Sequence, residues 1–365
     1  MRRVYRIAAV ILICLAIGLI LYYRYKTAQT PAWFDWRAFV TSLRNINKPV
    51  LALAFVTIYA TYLVRSLRWQ QYVRPIAETR LVNLLVATVI GFTSLFLLGR
   101  AGEVVRPLLI ARKENLRMAS MMGVWLLERI QDLLSILLWM GLGLTLGRVT
   151  AASDSSGTVM LARTRQAGWL ALAAVVAATG LLALWRFRSA SMSGWLDRKL
   201  RFLPHRWHRK ISDTLQSFGE GLQSVEHTGK LVLTVGYSIF LWLLISGTYY
   251  IVCQSFGGNL ARITFAGILL LVAIAMLGST VQIPGVGGGV QAATFIALTA
   301  IFGISVELAA SATILIWLLT FAAVSLVGIP LMIREGLSLG QLRAMARARA
   351  ELSEPPAGTS SRERP

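Results

Sequence analysis

The stretch Gly99-Arg100-Ala101-Gly102-Glu103-Val104-Val105-Arg106-Pro107 puts three charges and two glycines directly after an apolar run, Leu81 to Leu98. A second charged set, Glu128, Arg129 and Asp132, sits well inside the next apolar run, Ala119 to Gly147. An ionisable side chain at bilayer depth costs roughly 2.5–3.5 kcal/mol on insertion scales, and such residues are kept where they line a polar cavity. In helical register Glu128 and Asp132 share a face as an i,i+4 pair, and Arg129 can meet Asp132 at i,i+3. Glu103 and Arg106 have the same i,i+3 spacing. The planar guanidinium fork binds two phosphate oxygens at once. The chemistry expected here is therefore capture of a phosphate by Arg106 and Arg129, with Arg100 in the same set. Glu103, Glu128 and Asp132 orient the arginines and meet any cationic or hydroxyl group on the ligand. The competing reading is an ion-pair network that pins helices together without a ligand.

A second element carries backbone rather than charge: Pro284-Gly285-Val286-Gly287-Gly288-Gly289, with Gln291 just beyond. Gly285, Gly287, Gly288 and Gly289 let main chain approach a ligand closely. Gly99 and Gly102 align with Gly285 and Gly288 at one constant offset, each pair after an apolar run and before a long apolar span. Paired, Gly/Pro-interrupted apolar segments in two halves of a chain point to a transporter binding site and to an internal repeat.

These residues need a membrane scaffold. The chain has 365 residues, 56% of them hydrophobic, and a mean hydropathy of +0.63. That is the composition of an integral membrane protein and excludes soluble classes. A net charge of +21 could suggest nucleic acid, but no nucleic-acid module is visible, so nucleic acid is not an expected partner. Lys and Arg in cytoplasmic loops, attracted to anionic lipid, account for the charge more simply. Cys14 and Cys253 both fall in apolar runs, with no CxxC spacing. His205 and His208 sit in a basic loop. Neither metal nor cofactor is expected.

With about 20 apolar residues needed per span, full spans are expected at 4–23, 49–67, 119–147, 167–185, 231–253 and 307–333. The regions 81–111 and 264–303 are broken by glycine and read as re-entrant hairpins. The predicted fold is thus an all-α polytopic membrane protein of about six full transmembrane helices plus two Gly-rich re-entrant hairpins. The first span resembles a signal sequence, but its apolar stretch is too long and lacks a clear cleavage site, so it is expected to stay. The transmembrane domain is expected over 1–335. Within it, 24–48 reads as an interfacial segment and 186–230 as a basic cytoplasmic loop. Residues 336–365 read as a cytoplasmic tail with a disordered end. Both termini are expected in the cytoplasm, in a multi-pass inner-membrane protein. Arg65, Arg68, Arg74 and Arg80 read as topology signals and headgroup contacts, and Trp33, Trp36, Trp69 and Trp207 as interface anchors.

The order of four elements resembles a known family: Leu67-Arg68-Trp69, then Gly102-Glu103-Val104-Val105-Arg106-Pro107, then Leu127-Glu128-Arg129, then Pro284-Gly285-Val286-Gly287-Gly288-Gly289-Val290-Gln291-Ala292. The chain is similar, over about residues 5–335, to the lysylphosphatidylglycerol synthase transmembrane-region family, also called flippase-like membrane proteins. The resemblance implies handling of aminoacylated phospholipid, as in the membrane half of the multiple peptide resistance factor, or of polyprenyl-phosphate sugars. It departs from the family in two places. A stand-alone member without the soluble transferase domain is expected, and Gln291 stands where the family usually has Glu. No GxSxG, HExxH, P-loop or Rossmann fingerprint is present. The expected function is therefore binding and translocation, or presentation, of a membrane lipid with an anionic phosphate headgroup. The alternatives are a membrane subunit holding lipid for a separate aminoacyl- or glycosyltransferase partner, and a scaffold with no lipid ligand. A proton-coupled transporter would titrate Glu103, Glu128 or Asp132.

Overall fold

The structure, a computed structural model, describes residues 34–146, 165–177, 228–279, 282–283, 287–338 and 340–342. The expected span 4–23, most of the basic segment 186–230, and Trp33, Trp207, Pro284 and Gly285 lie outside the described residues.

Helix α1 (Trp36–Arg44) starts at Asp35, whose carboxylate accepts from the Arg37 and Ala38 amides at 2.7 and 3.2 Å. This caps two of the N–H groups that a helix start leaves open. Asn47 caps α2 (Lys48–Val73) in the same way, with Pro49 in the first turn. Then follow α3 (Leu81–Leu98), a 3-10 turn (Gly99–Val104), α4 (Val105–Lys113) and α5 (Met118–Leu146). Beyond α6 (Arg165–Ala177) come α7 (Thr228–Phe256), α8 (Gly258–Ala261) and α9 (Phe265–Gly278). Two antiparallel two-residue strands, Gln282–Ile283 and Gly287–Gly288, lead into α10 (Gly289–Ile296) and a π-turn (Ala297–Ile301). The chain ends its described course in α11 (Val306–Trp317), a second π-turn (Leu318–Ala322) and α12 (Val324–Arg334).

Five stretches are long and apolar enough to cross a bilayer: 48–73, 81–113, 118–146, 231–256 and 306–334. The second does not run straight. Gly99 takes φ +64°, a conformation that ends α3, and α4 returns along it. A Cβ on Gly91 of α3 would stand 2.5 Å from the Arg106 Cβ of α4, so only glycine lets the two limbs meet. At the open end the Asn83 side-chain amide donates to Glu114 at 2.9 Å. Residues 81–113 are thus a helical hairpin. Residues 265–301 form another: a Cβ on Gly278 would meet the Gly289 carbonyl, and one on Gly267 would touch Phe302. At 14 residues, α9 is about 21 Å long, short of the roughly 30 Å hydrocarbon core.

The contacts at each end show which way the elements run. The Asn47 amide donates to the Ser255 carbonyl, and the Asp35 amide to Glu307. One end of the molecule therefore holds the start of α2, the end of α7 and the start of α11. Lys113 pairs with Glu335 at 2.6 Å, which puts the mouth of the first hairpin at the other end, beside the end of α12. The second hairpin follows α7 and opens at the first end. The two hairpins enter from opposite ends and touch at their tips, where the Arg100 guanidinium donates to the Ser279 carbonyl.

The surface is apolar where a soluble protein would be polar: Leu53, Val56, Val232, Leu326 and Ile333 are exposed. The interior holds Arg65, Arg68, Arg106, Glu128 and Asp132. Charges inside an apolar shell are what a bilayer solvent demands. The protein is an all-α polytopic membrane protein. Leu342 is fully buried against the cluster around Trp69 and Tyr72, so packed structure continues past residue 335.

Candidate functional site

Glu128 is the centre of the buried charges. It lies ten residues into α5, about 15 Å from that helix end at 1.5 Å per residue, and is fully buried. Its two oxygens accept from Arg68 at 2.6 Å and from Arg106. One turn later Asp132 accepts from Arg68 at 2.8 Å and from the Trp242 indole at 3.3 Å, and forms an ion pair with Arg129 at 3.1 Å. The Arg68 fork also reaches the Ser238 hydroxyl at 3.0 Å. Ser238 and the Tyr72 hydroxyl in turn donate to Gln131. One guanidinium from α2 thus ties α5 and α7 together through three acceptors.

The expected pairing of Arg129 with Asp132 is present. Glu103 instead pairs with Arg100, at 2.9 Å, on the exposed tip of the first hairpin. Arg106 leaves the first turn of α4 and lies over the Trp69 ring, 4.7 Å from its centre, and 5.6 Å from that of Phe92. Cations over aromatic faces gain about 2 kcal/mol when desolvated. The close approach at Gly91 is what lets Arg106 reach this position.

Glu103, Arg106 and Arg129 line one pocket, with Gly91, Phe92, Leu95 and Trp125 as its remaining wall. Among the described residues, three guanidinium N–H positions of the cluster are buried and make no hydrogen bond: Arg68 Nε, Arg106 Nη1 and Arg129 Nε. The Trp69 indole N–H is in the same state. Buried donors are rarely left so in native proteins.

The second Gly-rich element contributes differently. Gly287 and Gly288 form a strand, Gly289 opens α10, and the Gln291 side chain accepts from the Gly288 amide at 2.6 Å, capping that helix. None of these four residues lines the pocket; from the first hairpin, Arg100, paired with the pocket-lining Glu103, reaches the Ser279 carbonyl at the end of α9.

Two readings of the sequence are corrected. Arg65 and Arg68 are not peripheral topology signals. Arg68 is fully buried in the ion network, and Arg65, also buried, lies 4.7 Å from the centre of the Phe92 ring. Trp69 is not an interface anchor, for it is fully buried beneath Arg106. The expected span ended at residue 67, whereas α2 continues to Val73. The available signal was register, since Arg65, Arg68 and Trp69 fall on one face when the helix is carried on by two turns.

Residues 6–328 match the family described as Lysylphosphatidylglycerol synthase TM region. No curated protein and no solved structure matches the chain. With nearly the whole membrane domain covered by that match, the chain belongs to the lysylphosphatidylglycerol synthase TM region family.

Proposed function

We propose that this protein binds a membrane lipid by an anionic phosphate headgroup and moves it across the bilayer or presents it there. Membership of the family links the chain to lipid handling. One observation carries the finer reading: Arg106 and Arg129 line a pocket at bilayer depth and keep buried N–H groups without partners. Each unmade hydrogen bond costs about 1–3 kcal/mol, so an acceptor placed in this pocket would be stabilised by these donors. A phosphate supplies several acceptor oxygens to two guanidinium groups in one place. Phe92, Leu95 and Trp125 give the pocket an apolar wall suited to the first carbons of the chains, whose remainder stays in the bilayer. The end carrying Arg74, Arg80, Arg112, Lys113, Arg117 and Arg334 is assigned to the cytoplasm, which puts the mouth of the first hairpin there.

Native mass spectrometry with lipid identification tests this on gently purified full-length protein. Wild type is expected to retain a phosphate-bearing lipid that the double variant Arg106→Ala/Arg129→Ala loses. Arg106→Lys, which keeps the charge but not the fork, is expected to retain it weakly. Identical bulk-lipid mixtures on all three proteins would sink the reading and favour a scaffold.

A further inference from the structure

The cluster contains four guanidinium groups, Arg65, Arg68, Arg106 and Arg129, and two carboxylates, Glu128 and Asp132. Glu103, in the pocket wall, is paired with Arg100, and that pair taken together adds no net charge. Arg68 is shared by both acids, Arg106 takes the second oxygen of Glu128, and Arg129 takes the second oxygen of Asp132. Arg65 has no ion-pair partner among the described residues; its contact is the ring of Phe92, which Arg106 shares. Two positive charges are therefore left over, with Arg65, Arg68 and Arg106 buried and Arg129 partly exposed at the pocket. An aromatic ring attracts a cation but does not neutralise it. Desolvating each uncompensated ion costs several kcal/mol. Arg106 also lies in the first turn of α4, where the helix dipole disfavours a cation and favours an anion.

We infer that the headgroup this site takes carries two negative charges: a phosphomonoester or diphosphate lipid, not a zwitterionic or aminoacylated one. This rests on the phosphate-lipid reading above and sharpens it. A phosphodiester such as phosphatidylglycerol brings one charge and leaves one guanidinium uncompensated. A lysyl ester adds cationic charge to a region that already has too much. A phosphomonoester brings about −1.5 to −2 charges at pH 7 and cancels the surplus. Phe92 links the two surplus charges, because its ring lies in the pocket wall and contacts both Arg106, which lines the pocket, and Arg65, which lies behind that wall.

The test is competitive lipid binding to the full chain in detergent, read by native mass spectrometry, with phosphatidate, phosphatidylglycerol and phosphatidylcholine of identical acyl chains. Phosphatidate is expected to be retained over phosphatidylglycerol by at least about tenfold, or 1.4 kcal/mol. Arg65→Gln removes one of the two surplus charges and is expected to shrink that ratio to within about threefold, which a preference based only on headgroup size does not predict. Equal retention of phosphatidate and phosphatidylglycerol, both dependent on Arg106 and Arg129, overturns the two-charge inference and leaves the phosphate-lipid reading intact. Retention of neither above phosphatidylcholine overturns both. If inorganic phosphate alone displaces phosphatidate at equal concentration, the two-charge requirement stands and the lipid assignment falls.

Discussion

At the scale of single residues, Arg68 and Arg106 do different work although both hold Glu128. Arg68 is fully buried and bridges Glu128, Asp132 and Ser238 from α2 to α5 and α7. Its loss leaves two buried carboxylates short of a partner, and breaking a buried pair from one side costs about 3–5 kcal/mol. Arg68→Ala is therefore expected to lower the melting temperature in detergent sharply, with loss of folded material. Arg68→Lys is expected to recover only part of it, because one ammonium does not reproduce the fork that reaches three acceptors. Arg106 is only half engaged by protein, with Nη1 unpaired. Arg106→Ala is expected to cost less in stability than Arg68→Ala while costing more in lipid retention, measured on the same two preparations. The sequence pointed to Arg106, Glu128, Arg129 and Asp132 because charges in the middle of apolar runs stand out. It hid Arg65 and Arg68 because charges at the edge of a run look like the end of the span.

At the scale of elements, the first hairpin is a device for carrying Arg106 inward. Its limbs touch where Gly91 faces the Arg106 backbone, and an added methyl at residue 91 would stand 2.5 Å from Cβ and 3.2 Å from Cα of Arg106. Neither atom is the far end of a flexible chain, so the limbs must part. Gly91→Ala is expected to cost about 1–3 kcal/mol, the usual penalty of overpacking. It should also reduce lipid retention, since Arg106 is displaced from Glu128 and Trp69. Thermal melting and native mass spectrometry read the two effects separately. Unaltered retention in a protein that still melts lower would show that the hairpin is only packing. That the two glycine-broken regions reverse direction was legible from sequence, because Gly99-Arg100-Ala101-Gly102 and the Pro284–Gly289 run interrupt apolar stretches too short to span twice. What the second element does was not legible. Its glycines suggested ligand contact, whereas Gln291 turns back to cap α10 and Gly289 packs on Gly278. Both uses of glycine leave the same letters in a sequence, and only the partner strand or limb distinguishes them.

At the scale of the whole molecule, the opposed hairpins make a claim about sides. Asn83 and Glu114 are hydrogen-bonded to each other at the mouth of the first hairpin. Asn259 lies between α7 and α9, at the mouth of the second. A chain in which 81–113 crossed the membrane once would put residues 83 and 114 on opposite faces, and 33 residues are long enough for that. The reversal at Gly99 and the Asn83–Glu114 contact require the same face for both. Single cysteines at 83, 114 and 259, in a chain whose Cys14 and Cys253 are replaced by alanine, give the check in sealed vesicles of known orientation. An impermeant maleimide is expected to label positions 83 and 114 from the cytoplasmic side and position 259 only from the opposite side. Labelling of 83 and 114 from different sides would remove the first hairpin, and with it the inverted pair of tips joined by Arg100 and Ser279. If the sides agree, Arg100 and Ser279 join the tips of two hairpins that enter from opposite faces. Breaking that contact, for instance with Arg100→Ala, then becomes the perturbation expected to change the rate of lipid crossing in proteoliposomes more than the amount of lipid bound, because Arg100 is exposed at the junction and lies outside the pocket.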